Sequence, residues 1–65
     1  MERYFAPLII GPDGTHHKMA VAELPYPGAP LKIYPFKGEI HSTRYIGPKI
    51  KVTISKKGEL IAALI

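Results

Sequence analysis

Glycine and proline punctuate this chain at short intervals, at Gly11-Pro12, Gly14, Pro25 to Pro30, Gly38, Gly47-Pro48 and Gly58. They divide it into six runs too short for stable helices. Gly supplies positive φ, and Pro presets a turn while removing a ladder donor, so runs bounded this way read as strands. The fold expected is all-β: five or six antiparallel strands in a small, partly open barrel of the SH3-like or OB-like kind.

With 65 residues the chain makes one domain. A chain of this size buries only about 60% of the surface it exposes when unfolded, so its core needs reinforcement. There is no Cys, which removes disulfides and thiolate metal sites and is compatible with a reducing, cytoplasmic setting. Seven prolines lower the entropy of the unfolded chain. Self-association would bury apolar strands that a monomer leaves wet. Asn, Gln and Trp are absent as well, and scarcity of the thermolabile amides points to a hot-environment source.

Several runs pair naturally. Tyr4 to Ile10 should form a hairpin with His17 to Leu24 across Gly11-Pro12-Asp13-Gly14, with Pro12 in a type I turn and Gly14 left-handed. Within the second strand, Lys18, Ala20, Ala22 and Leu24 fall on one side and Met19, Val21 and Glu23 on the other. Pro25-Tyr26-Pro27-Gly28-Ala29-Pro30 reads as a stiff extended crossover. Leu31 to Phe36, which contains Pro35, belongs at a sheet edge. It is expected to pair with Glu39 to Ile46 through Lys37-Gly38. Lys49 to Ser55 alternates cleanly, with Ile50, Val52 and Ile54 inward, and Lys56-Lys57-Gly58 turns it back into Glu59 to Ile65. That last run and the first are apolar on both sides. Two such terminal strands invite pairing, within one chain or between two. Glu59 to Ile65 also suits a short helix, although seven residues nucleate one poorly.

The formal net charge of +4 and an isoelectric point near 9.6 make polyanions the natural partners. If Leu31 and Ile33 face the core, Lys32, Tyr34 and Phe36 share the opposite face. Tyr45 joins them from the next run, with Arg44 opposite it, and Lys49 and Lys51 come from the alternating strand. Bases stack on Tyr and Phe with about 1–3 kcal/mol each, and cationic side chains hold phosphates. The candidate nucleic-acid-binding residues are therefore Lys32, Tyr34, Phe36, Lys37, Arg44, Tyr45, Lys49, Lys51, Lys56 and Lys57. Two simpler readings stand beside this one. Tyr34 and Phe36 fill the core of a curled sheet, or the lysines guard edge strands against aggregation.

Other chemistry finds little footing. His16 and His17 are adjacent and so point to opposite sides of a strand, and with His41 they lack the spacing of a metal site. No nucleophile with a base and orienting acid is traceable, so neither an enzyme nor a cofactor is expected. Gly11 to Gly14 lacks the Lys-Ser or Lys-Thr ending of a phosphate loop. Met1 to Ile10 carries Glu2 and no small-residue cleavage site, and no apolar run spans a bilayer, so neither a leader nor a membrane is expected. The expected function is sequence-independent binding of DNA or RNA. The alternative is a protein-interaction module or homo-oligomer, a small subunit of a larger assembly or a viral or host accessory factor, acting through strand pairing.

Overall fold

The computed structural model describes residues 1–38 and 42–65. The chain is all-β over those residues, with strands β1 (Glu2–Ile10), β2 (His16–Leu24), β3 (Lys32–Pro35), β4 (Lys49–Ile54) and β5 (Leu60–Leu64). They form one sheet in the order β3-β2-β1-β4-β5. It is not closed into a barrel, since β3 and β5 are its two edges. Nor is it purely antiparallel as the hairpin signals implied: β1 and β4 run parallel, with Ile9 beside Ile50.

The first hairpin forms as its turn residues dictate. Ala6 pairs with Ala20 and Tyr4 with Ala22. In the turn, the Gly14 N–H donates to the Gly11 carbonyl at 2.9 Å with φ at +85°, and Asp13 Oδ1 accepts from the Thr15 N–H at 3.0 Å. β3 sits at an edge, where Pro35 costs the sheet least. The last run is a strand, Leu60–Leu64, returned from β4 through Gly58 at φ +80°. It lies at an edge, and β4 separates it from β1, so the two doubly apolar strands do not meet within the chain.

One expected hairpin does not form as drawn. Glu39 to His41 lie outside the described residues, but Arg44 bridges in parallel to Tyr4 on β1 rather than to β3. The Arg44 N–H donates to the Arg3 carbonyl at 2.9 Å, and the Phe5 N–H donates to the Arg44 carbonyl at 2.8 Å. β4 reaches β1 only at Leu8 to Ile10, so the outer edge of Arg3 to Phe5 needs this second segment to satisfy its backbone groups.

A second departure concerns which residues of β1 point inward. Simple alternation groups Phe5 with Ile9 and Ala6 with Leu8, yet Ala6 and Ile9 are both fully buried in the same cluster. The change of phase falls between the pairs Ala6–Ala20 and Leu8–Lys18, where Pro7 lies opposite Met19. Met19 adopts a left-handed φ of +48°. Rotation there carries both strands to the opposite phase together, so Lys18 and Leu8 turn outward as a pair.

The core lies on the enclosed side of the curled sheet. Ala6, Ile9, Ala20, Ala22, Leu24, Ile50, Val52 and Leu60 form it with Ala29 of the crossover, and Tyr4, Leu31, Ile33 and Ala62 pack around them. Alanines at facing positions let β1 and β2 approach whatever crosses them. That crossing element is the β4–β5 hairpin, whose turn rests on the proline-rich segment: the Gly28 N–H donates to the Gly58 carbonyl at 3.2 Å. A side chain at Gly58 would begin 2.5 Å from the Gly28 nitrogen, whereas Gly14 faces open space.

Gly14→Ala therefore loses about 1–2 kcal/mol for its left-handed backbone alone. Gly58→Ala should lose clearly more, because it also pushes the hairpin off the loop. Urea midpoints of the two variants measure the difference, and equal midpoints would mean that the contact with Gly28 carries no energy.

Candidate nucleic-acid interface

The face turned away from the core is built by register. Phe5 pairs with Val21, and Val21 with Tyr34, placing the three side by side on three strands. Arg3 and Lys32 both lie opposite Glu23 on its two sides. Lys49 and Lys51 pair with Leu8 and Ile10, one residue out of phase with the buried pair Ile9–Ile50, and so belong to this outer face too. It thus gathers Lys32, Tyr34, Phe36, Tyr45, Lys49 and Lys51 of the residues singled out from sequence.

Phe5 organises the aromatic part. Its ring lies 4.6 Å from that of Phe36, tilted by 48°, and 6.1 Å from that of Tyr45. Separations of this size are typical of interacting rings. Phe36 and Tyr34 are half-buried and lie outside the core cluster, so neither the simple core reading nor full exposure describes them. Tyr45 keeps 60% of its surface exposed.

Polar groups flank the rings. Glu23 Oε1 accepts from Arg3 Nε at 2.8 Å and from the Tyr34 hydroxyl at 2.9 Å. Arg3, first by its hydrogen bond, and then Tyr34 hold the Glu23 carboxyl below its ordinary value of 4.5. Tyr34 is pushed above 10.0, chiefly by burial and then by the same carboxylate. The triad fixes the Tyr34 ring and one arginine head, leaving the lysines as the mobile cations of the face.

The other candidates lie elsewhere. Lys37 is exposed beyond β3. Lys56 and Lys57 are exposed on the β4–β5 turn, beside the proline-rich loop rather than the rings. Arg44 alternates away from Tyr45 and lines a cleft with Glu2, Arg3, Ser42 and Thr43. Sequence reasoning passed over Arg3, Phe5, Lys18 and Glu23. Arg3 and Phe5 carried a signal in their two-residue spacing, but the apolar run around them masked it. His17 pairs with Ile9 toward the core side and His16 with Ile10 away from it, as adjacent residues must. His41 lies outside the described residues. Among the described residues, no three His, Cys, Asp or Glu side chains converge as metal ligands, and no helix is long and apolar enough to cross a membrane.

The depressed Glu23 carboxyl has a pH consequence. Its contribution to stability is complete above its unfolded value and is lost as pH falls below about 4.5 through the lower folded value. Denaturant midpoints from pH 6 down to pH 2.5 should decline for the native chain, and the decline should be shallower in Glu23→Gln. Parallel curves would remove the Arg3–Glu23–Tyr34 triad from the stability of this face.

No family model matches the chain, no curated protein matches it, and no solved structure matches it.

Proposed function

We propose that this protein binds nucleic acid largely without regard to sequence, using the outer face of its sheet. The observation that carries the reading is the joint placement of Lys32, Lys49 and Lys51 with Tyr34, Phe36 and Tyr45 on the side turned away from the core. Lysines contact phosphates by charge alone, and an exposed phenol offers a stacking surface to any base. Small β barrels of the OB-like kind that bind single strands combine the same two elements, and an open sheet curled over its core can present them likewise. Lys37, Arg44, Lys56 and Lys57 lie outside this face and extend the positive field rather than the contact surface.

A second reading draws on the asymmetry of the two edges. β3 carries Lys32 and Pro35, residues that discourage edge-to-edge pairing, whereas Leu60 to Leu64 contains neither Lys nor Pro. Ile61, Leu64 and Ile65 are 47%, 59% and 61% exposed along it. An unguarded apolar edge of this kind supports strand addition to another protein or to a second copy of this chain.

Two experiments separate the readings. In fluorescence-anisotropy titrations against labelled single-stranded DNA, RNA and duplex DNA, Lys49→Glu/Lys51→Glu should weaken binding and reduce the salt slope by about 1.5–2, for two lost phosphate contacts. Tyr45→Ala should cost about 1–3 kcal/mol on single strands and little on duplex. Affinity unchanged in the double variant would remove this surface. Light scattering on the eluting protein addresses the edge: Ile61→Lys should convert an oligomer into monomer, and a native chain already monomeric at high concentration would discard self-pairing.

A further inference from the structure

The cleft beside Arg44 differs chemically from the lysine-rich face. It encloses about 380 Å³ and is lined by Met1, Glu2, Arg3, Ser42, Thr43 and Arg44. Its two walls are clamped together by the hydrogen bonds that tie Arg44 to Arg3 and Phe5 at 2.9 and 2.8 Å. Ser42 holds a left-handed φ of +55° at its edge.

The Glu2 carboxylate in the lining disfavours a phosphate here. Arg3 is already compensated by Glu23 at 2.8 Å, and the Glu2 carboxylate offsets Arg44, which leaves the Met1 amino group as the unbalanced charge of the lining. Among the described residues, neither the Glu2 carboxylate nor the Arg44 guanidinium is engaged in an ion pair or side-chain hydrogen bond, although both residues line the same cleft. One wall therefore offers acceptors and the other donors. A ligand that engages both groups is small, with adjacent donors on one edge and acceptors on another.

Among nucleobases, guanine alone has two neighbouring donors, N1–H and the N2 amino group, that a carboxylate can accept in bidentate fashion. Its O6 and N7 accept a guanidinium fork, the commonest arginine–base pairing. Adenine and cytosine present a single amino donor group beside ring acceptors, and thymine or uracil a single N–H. The volume suits one nucleoside, given that ligand sites begin at about 300 Å³. Building on the nucleic-acid reading above, we propose that this cleft captures an unpaired guanine, with Glu2 accepting from its Watson–Crick edge and Arg44 donating to O6 and N7. Ser42 and Thr43 supply hydroxyls to the same cleft. Single-stranded binding would then be sequence-tolerant over the outer face and guanine-preferring at one position.

The test uses the intact protein and short thymidine oligomers carrying one central guanine, adenine, cytosine or hypoxanthine, with anisotropy as readout. The guanine oligomer should bind about tenfold more tightly than all-thymidine, within the range expected for a bidentate base contact. Hypoxanthine, which lacks the N2 amino group, should lose most of that gain. Glu2→Gln should abolish the preference for guanine over thymidine, and Arg44→Gln should abolish it as well. Unchanged urea midpoints for both variants would show that they fold. Equal binding of all oligomers at a normal salt slope would overturn the guanine site and leave the outer-face reading standing. A guanine preference that survives Glu2→Gln, or equal binding of guanine and hypoxanthine, would overturn the assigned contacts. Failure of the native protein to bind any oligomer would overturn both readings together.

Discussion

The structure depends on how the central strand satisfies its backbone. β1 pairs with β2 from Glu2 to Ile10 except at Pro7, but its other edge is shared between two separate stretches, Arg44 at Tyr4 and Lys49 to Lys51 at Leu8 to Ile10. Pro7 sits between them. It has no N–H to offer, so the chain passing from Arg44 to Lys49 can bulge there without orphaning a donor. Opposite Pro7, Met19 turns left-handed, and the two together change which side chains face inward. The break at Pro7 thereby brings Ile9 into the core with Ala6, and it turns Lys49 and Lys51 outward with Leu8 and Ile10.

Much of the local structure was legible from single residues. Gly14 and Gly58 marked tight turns because left-handed backbone is costly for other residues, and Pro35 marked an edge because a ladder donor is missing there. The alternation of Lys49 to Ile54 translated into burial for Ile50 and Val52, both at 0% exposure, but not for Ile54, which was expected inward and is 38% exposed at the end of its strand. The long-range choices were not legible. Arg44 had equal local reason to pair with β3 or β1, and only the unmet hydrogen bonds of β1 decide between them. The phase change was hidden as well, since Met19 is a residue type with no inherent preference for positive φ.

The outer face was partly legible for the same reason. Lys32, Tyr34 and Lys51 could be placed on a side of their own strand by counting in twos, and register then carried them to one surface. Phe5 could not be found this way, because an aromatic in a run of Ala, Pro, Leu and Ile reads as core. Its ring instead props Phe36 and leans toward Tyr45, so an apolar cluster lies on each side of the sheet. A chain this short thereby uses both faces of β1, with the larger cluster enclosed and the smaller left partly open beside the cations.

The parallel contact between β1 and β4 also bears on how the chain reaches this state. Leu8 and Lys49 are separated by 41 positions (49 minus 8), whereas the β1–β2 and β4–β5 ladders each close across a short turn. Loop-closure entropy must be overcome before the long-range contact yields any compensating burial. The two hairpins are thus the units able to form early. Neither encloses Ile9, Ile50 or Val52 alone, so the long-range step that joins them is the one on which loop-closure entropy weighs most.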